Sequence, residues 1–445
     1  MMHLPSTVVS CIRLLEAAGY QAHVVGGCVR DSLLGIVPHD YDLCTSALPE
    51  ETAYVFREYT LVRSGEKHGT IGVVMDGQVI EITTFRTEGG YKDHRHPDWV
   101  EFVRVLEQDL ARRDFTVNAI AYDPEAGYLD PFGGQDDLKN KILRAVGDPE
   151  TRFREDALRI LRGVRFAVRF GLTPEKTTMD AMEKLAPLLE TLARERVFEE
   201  LCKLLPLVTA EDLLRYRAIL VQAVPELGPC VDFQQHSPHH AYDVFTHIAH
   251  TVETTPPKLP LRWAALLHDT GKPGCYILGA DGRGHFPGHA QLSASIADEV
   301  LHRLKASTAL REQVVFLVGH HMTPIEPDKR LLRRRLGRYG IETLQDLLRL
   351  QEADMGSKGT GKTDGLNQFP LLRKLIDEVL DEDACLGIRD LAVNGQDLMQ
   401  IGFTAGPALG KCLNDLLILV QDEQIPNEKE DLLAAAKTYL LEVPL

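Results

Sequence analysis

The sequence predicts an α+β fold, with a mixed-sheet head followed by an all-helical remainder. Three observations predict it. Between residues 20 and 146, short β-branched runs (HVVGG, TIGVVM, QVIEITTF, VEFVRV) alternate with helical stretches. From about residue 150 onward, Leu, Ala and Arg recur at three- and four-residue spacing. Two stretches rich in Gly, Pro and polar residues, 227–240 and 356–370, read as joints within that helical part. The implied division is a head at 1–147, a helical neck and body at 148–232, a histidine-rich helical block at 233–358 and a helical tail at 359–445.

With 445 residues, 44% hydrophobic and 26% charged, the chain can bury several cores. No apolar run approaches the ~20 residues needed to span a bilayer, so no membrane role is expected. The first twenty residues lack a signal-peptide layout and read as an amphipathic helix capped by Ser6 or Thr7. Eight scattered cysteines without a C-x-x-C pair fit reduced thiols in a cytoplasm rather than a disulfide scaffold. A net charge of −16 argues mildly against nucleic acid as a partner. Basic residues are nevertheless concentrated, at Arg152, Arg154, Arg159, Arg162, Arg165 and Arg169, and again at Lys329, Arg330, Arg333, Arg334, Arg335 and Arg338. Such patches set the local field that a phosphate feels.

In the head, Val24 and Val25 end a strand. Gly26 and Gly27 then admit a ligand close to the backbone, and a short helix follows, closed by Gly35. A phosphate suits such a helix N-terminus, with Arg30 as an added charged donor. Asp40 and Asp42 flank Tyr41 at the start of the next strand, where a period of two puts both carboxylates on one face. Paired carboxylates repel unless a cation lies between them, and Mg²⁺ meets that need together with phosphate oxygens. In two-metal catalysis one such ion activates an attacking hydroxyl and the other holds a triphosphate and its leaving group.

The run from His23 to Ala47 (HVVGGCVRDSLLGIVPHDYDLCTSA) resembles the signature of the class II tRNA nucleotidyltransferase and bacterial poly(A) polymerase family, within the polymerase-β superfamily. The resemblance covers nearly the whole chain and implies a polymerase-β-like head whose Asp40 and Asp42 hold Mg²⁺. The match takes in Gly26, Gly27, Arg30 and Asp31. In the segment RRDFTVNAIA (112–121) it implies that Arg113 meets the triphosphate or ribose, while Asp114 and Asn118 organise the pocket. The Arg fork suits phosphate oxygens. In EDALRILRGVRF (155–166), Asp156 and Arg159 are expected three apart on one helix face. An Asp accepts from the exocyclic amine of C or A and an Arg donates to the adjacent acceptor, whereas G and U offer the wrong pattern. The resemblance makes this pair the protein template for the incoming base. Arg162 and Arg165 go to phosphate or to pocket structure.

The polar segment 85–102 suits a mobile loop and resembles one that full CCA-adding enzymes have, with His96 where Arg is more usual. Glu81 in VIEIT is either a third catalytic carboxylate or an acid on an exposed strand face. Farther on, LLHDTGKPG resembles the HD phosphohydrolase signature. The implied ligand set is His247, His268, Asp269, His289, His321 rather than His320, and Asp354, around a divalent metal whose bound water hydrolyses a phosphoester. Met322 stands where Asp is common, so a degenerate scaffold is the alternative.

The expected activity is addition of C, C and A to the tRNA 3′ end from CTP and ATP. The expected partner surface is the 3′ end and acceptor region of tRNA, gripped in part by the tail. A poly(A) polymerase or A-adding enzyme shares the same head motifs. A hydrolase of RNA ends or nucleotides, with the head as a binding platform, is a rival of another class.

Overall fold

The computed structural model describes residues 2–89, 99–361, 365–382 and 385–442. The chain divides into two compact units, Met1–Pro225 with Arg303–Lys305, and Glu226–His302 with Ala306–Leu445.

The first unit opens with α1 (Ser6–Ala17), β1 (Ala22–Val25) and α2 (Gly27–Leu33). Pro5, not Ser6 or Thr7, occupies the N-cap of α1, with no side-chain cap bond. The fixed φ of Pro starts the helix there. The chain continues through β2 (Asp42–Thr45), α3 (Pro49–Val55), β3 (Thr60–Val62), β4 (Thr70–Met75) and β5 (Gln78–Thr84). After β6 (Arg86–Gly89), β7 (Trp99–Phe102) and α4 (Leu106–Ala111) come β8 (Ala121–Asp123), β9 (Gly127–Leu129) and α5 (Gly134–Lys139).

Seven strands form one mixed sheet in the order β3-β4-β5-β2-β1-β8-β9. Only β2 and β5 pair in parallel, and their register sets Asp42 beside Glu81. Leu43, Ile71, Val73, Ile82 and Phe85 fill the core beneath. The segment expected as a mobile loop begins and ends in a two-stranded ribbon, since β6 pairs antiparallel with β7. Trp99 and Phe102 have the aromatic character that favours strand. His96 and the rest of 90–98 lie outside the described residues.

The helical part of this unit comprises α6 (Pro149–Glu155), α7 (Leu158–Phe170), α8 (Lys176–Leu185), α9 (Arg194–Leu204), α10 (Ala210–Arg215) and α11 (Arg217–Ala223). Asp148 caps α6 by accepting from the Thr151 N–H, with Pro149 at the first helical position. The expected single helix through Asp156 and Arg159 is broken. Asp156 is extended (φ −141°, ψ 102°), and α7 restarts at Leu158. The Asp156 carboxylate accepts from the Leu158 N–H at 3.1 Å, and this local bond competes with helix continuation.

The second unit is helical: α12 (Val244–Thr254), α13 (Leu259–Leu267), α14 (His289–Arg303), α15 (Thr308–His320), α16 (Lys329–Tyr339), α17 (Ile341–Gly356), α18 (Gln368–Asp381), α19 (Gly395–Gln400), α20 (Pro407–Gln421) and α21 (Lys429–Glu442). Leu398, Phe403, Cys412, Leu416, Leu432 and Ala436 make a separate small core toward the C-terminus.

The basic run on α16 is not the open phosphate patch its sequence suggests. Lys329 pairs with Glu378 and Glu382, Arg333 with Glu382 and Glu423, and Arg334 with Asp422. These acids lie far along the chain and pair with half of the run. All eight cysteines are free, and six are buried. Among the described residues, no helix is long and apolar enough to cross a membrane.

Candidate active site

Four segments of the first unit meet at a cleft of about 440 Å³. They are the β1–α2 turn, the first residue of β2, the stretch after α4, and the α6–α7 junction with α7 itself; α9 adds Arg196.

At the turn, Gly26 has φ +82°, and a Cβ there would lie 3.1 Å from Arg113 Nη1. Glycine supplies both the left-handed backbone and the room for that guanidinium. Arg30 is buried. Its Nη1 donates to Asn118 Oδ1 at 2.5 Å, and its Nε and Nη2 donate to Asp31 Oδ1 at 2.9 and 2.6 Å. Asn118 Nδ2 in turn donates to Asp114 Oδ1 at 3.0 Å. Arg162 donates to Asp114 Oδ2 through Nε at 2.9 Å. Burial pushes the Asp114 carboxyl up, but Arg162, Asn118 and Arg159 together outweigh it and hold the group at about 2.

At the far end of α7, Arg196 donates to both oxygens of Asp156, at 3.2 and 2.8 Å. Arg159 Nη1 donates to Glu155 Oε2 at 2.8 Å and its Nη2 to the Arg112 carbonyl at 3.2 Å. Asp156 and Arg159 therefore line the same cleft while each is oriented by its own partner. A carboxylate has about four lone-pair sites, so Asp156 can still accept from a ligand amine.

Asp42 heads β2, and Asp40 sits two residues earlier in irregular backbone rather than in the strand. The Asp42 carboxyl is pushed up by partial burial and by the charges of Asp40 and Glu81, against the pull of Arg113. Of these three carboxylates only Asp42 lines the cleft, with Glu81 beside it by strand register. Like charges this near favour a cation, and oxygen donors suit a hard divalent metal.

A second cluster lies wholly within the other unit. His247, His268 and Asp354 present ligand atoms within 4.8 Å of one another, and so do Asp269, His289 and His321. The two triads adjoin, with His247 Nε2 at 3.3 Å from His268 Nε2 and 3.4 Å from Asp269 Oδ2. All six are buried. His321 faces the cluster, while His320 stacks on Phe316 instead. Burial pulls His247 and His289 below the usual imidazole range and puts His321 at about 4, whereas at His268 burial is outweighed by the adjoining Asp269 carboxylate, which holds it above that range. His289 Nε2 is buried without a hydrogen-bond partner. Lys272 Nζ lies 2.6 Å from Asp269 Oδ2. The donor set fits a divalent metal.

Comparison with known proteins bears on both units. Residues 22–144 match the family described as the poly A polymerase head domain, 171–227 that of the RNA and SrmB-binding site of polymerase A, and 288–436 that of tRNA nucleotidyltransferase domain 2. The crystal structure of the Bacillus stearothermophilus CCA-adding enzyme in complex with CTP superposes with a TM-score of 0.68 at 29% identity, covering 97% of this chain and 96% of that one. The Thermotoga maritima CCA-adding enzyme complexed with tRNA shares the fold, with a TM-score of 0.58 at 20% identity over 98% and 96% of the two chains. The CCA-adding enzyme of Latilactobacillus sakei is 35% identical over 433 residues, 95% of each chain. This chain belongs to the CCA-adding enzymes.

As a CCA-adding enzyme it is a nucleotidyltransferase, and its cleft collects most of the residues singled out by sequence. Gly26, Gly27, Arg30, Asp42, Arg113, Asp114, Asn118, Asp156, Arg159, Arg162 and Arg165 line it. Asp31 stands behind Arg30 as its acceptor. Arg165 turns away to donate to buried Glu200 at 2.6 Å. Arg112, Phe166, Arg169 and Arg196 also line the cleft without having been assigned a role there. Arg169 continues the helical spacing of Arg162 and Phe166 and was visible by periodicity. Arg196, on another helix, carried no local signal.

Proposed function

We propose that this chain rebuilds the CCA end of tRNA, adding C, C and A from CTP and ATP. The observation that carries the reading is that one cleft holds a base-reading end (Asp156, Arg159), an arginine-rich wall and a carboxylate end (Asp42 with Glu81 beside it). Asp40 and Asp42, with Glu81, would hold Mg²⁺. When bound, the metal supplies the charge that activates the 3′-hydroxyl and steadies the triphosphate. The tRNA 3′-oxygen attacks the α-phosphorus, the bond to pyrophosphate breaks, and the hydroxyl proton passes to a nearby base or to water. Asp156 accepts from the amine of C or A, and Arg159 donates to the neighbouring acceptor. Arg113 and Arg162 face the phosphates.

In this reading the head ends near 147, the neck and body near 232 and the histidine block near 358, and the tail grips tRNA. Eight free cysteines fit a cytoplasmic setting. Names of the relatives favour CCA addition over poly(A) synthesis.

The test is incorporation on three tRNA transcripts ending before the CCA, after one C and after both. Ordered addition that stops after A supports the reading. A long A tract, or A added only to the CC end, moves it to the poly(A) or A-adding alternative. Asp42→Ala should reduce incorporation by several orders of magnitude.

A second reading concerns the buried histidines. We propose that His247, His268, Asp269, His289, His321 and Asp354 hold a divalent metal in a phosphoester-hydrolysing site. A cavity of about 360 Å³, lined by His321, Asp354 and Lys358, adjoins it and suits a phosphate ester. Metal analysis of the purified chain and of Asp269→Ala, together with phosphoesterase assays, decides this. A metal-free wild type without esterase activity leaves a degenerate scaffold.

A further inference from the structure

Eight arginines line the nucleotide cleft. Seven lie within 3.4 Å of a carboxylate. Arg169 alone has no such partner among the described residues, and its side chain is exposed to the cleft. An arginine that already grips a carboxylate gives a ligand little net charge. Arg169 keeps its full charge and its fork of donors.

Its position says which part of a ligand it meets. Arg169 sits in the last turn of α7, ten residues beyond Arg159, or about 15 Å along the helix axis. That is comparable with the reach of an extended nucleoside triphosphate from base to terminal phosphate. At this end, Arg169 and Arg30 both lie over the Phe170 ring, at 5.1 and 4.3 Å from its centroid. Arg30 in turn reaches the glycine turn, with its Nη2 3.5 Å from where a Cβ on Gly27 would stand. Arg30 is matched by Asp31, so Arg169 is the guanidinium at this end with charge left for an anion.

We propose that Arg169 binds the terminal phosphates of the incoming nucleoside triphosphate, and the same groups in the departing pyrophosphate. This rests on the nucleotide reading of the cleft. The contact is made with CTP and ATP alike, since it touches neither base. It adds affinity without adding base selection. Arg169 thus binds the substrate directly and holds the leaving group in line with the attacking 3′-oxygen.

The experiment is calorimetric titration of the full chain with CTP, CMP and pyrophosphate in Mg²⁺, comparing wild type, Arg169→Ala and Arg169→Lys. Arg169→Ala should weaken CTP and pyrophosphate on the order of 10-fold while CMP changes less than about 2-fold. The unchanged CMP affinity shows that the pocket is intact. Arg169→Lys should recover part of the loss, a charge without the fork. In turnover, the KM for CTP and for ATP should rise by similar factors and the C-to-A preference should stay constant. Equal losses for CTP and CMP place the contact at base or ribose and overturn the proposal. Unchanged CTP binding with weakened tRNA binding assigns Arg169 to the RNA backbone and also overturns it. If wild type binds neither CTP nor CMP, the nucleotide reading of the cleft falls, and this proposal with it.

Discussion

Asp42 and Glu81 are register partners in the one parallel strand pair of the head sheet, so their side chains rise on the same face. Neighbouring like charges on paired strands destabilise the sheet unless a cation joins them. Glu81→Gln removes that repulsion and one oxygen donor at once. The variant should melt at a slightly higher temperature in EDTA, yet incorporate CMP on the order of 10²-fold more slowly and need more Mg²⁺. Wild-type turnover in Glu81→Gln leaves Glu81 as an ordinary surface acid.

Arg196 positions Asp156 by bonding both of its oxygens. Arg196→Ala should leave the carboxylate free to rotate. Selection of C and A over G and U should then fall about 10-fold or more, with a smaller loss in total rate. Arg196→Lys should recover only part, since an ammonium cannot reproduce the bidentate fork. Unaltered misincorporation of GMP and UMP by Arg196→Ala would show that Asp156 needs no such support.

Asp114 gives a pH signature. Its folded carboxyl lies at about 2, below the unfolded value of 3.8. A depressed carboxyl contributes stability that is full above the unfolded value and is lost as pH falls toward the folded one. The contribution, about 2 kcal/mol, should therefore disappear between roughly pH 4 and pH 2. Denaturant unfolding of Asp114→Asn across that interval should show a shallower acid limb than wild type. Parallel acid limbs refute the assignment.

Gly26→Ala should be damaging for two separable reasons. The backbone at Gly26 (φ +82°, ψ −132°) lies outside the left-handed α well and costs a residue with a Cβ about 1–3 kcal/mol. The Cβ would also crowd Arg113, 3.1 Å away. Restoring space with the double variant Gly26→Ala/Arg113→Ala should recover part of the stability but not the activity. If the single variant binds CTP normally, the close approach has no function.

The fold class was legible because period and composition change near residue 150, where β-branched runs give way to helical spacing. The acidic pair and the glycine turn were legible because their residues are local. Strand register was not, since 38 residues separate Asp42 from Glu81 in the sequence (positions 43–80) and nothing in either neighbourhood states the pairing. Asp156 was misread as helical because a period-based reading does not register a side chain bonding its own backbone two residues on. The α16 arginines looked free for the same long-range reason, as their acids arrive from α18 and the end of α20. The six histidine-block residues were named through the resemblance of LLHDTGKPG to the HD signature, and the fold gathers them into two adjoining groups.

The buried six come from five different stretches of chain: α12, the end of α13, α14, the end of α15, and α17. A single ion held among them would act as a rivet through the whole bundle. Stripping it should loosen amide protons on all five helices together, so hydrogen exchange could report metal content even if the cluster performs no chemistry.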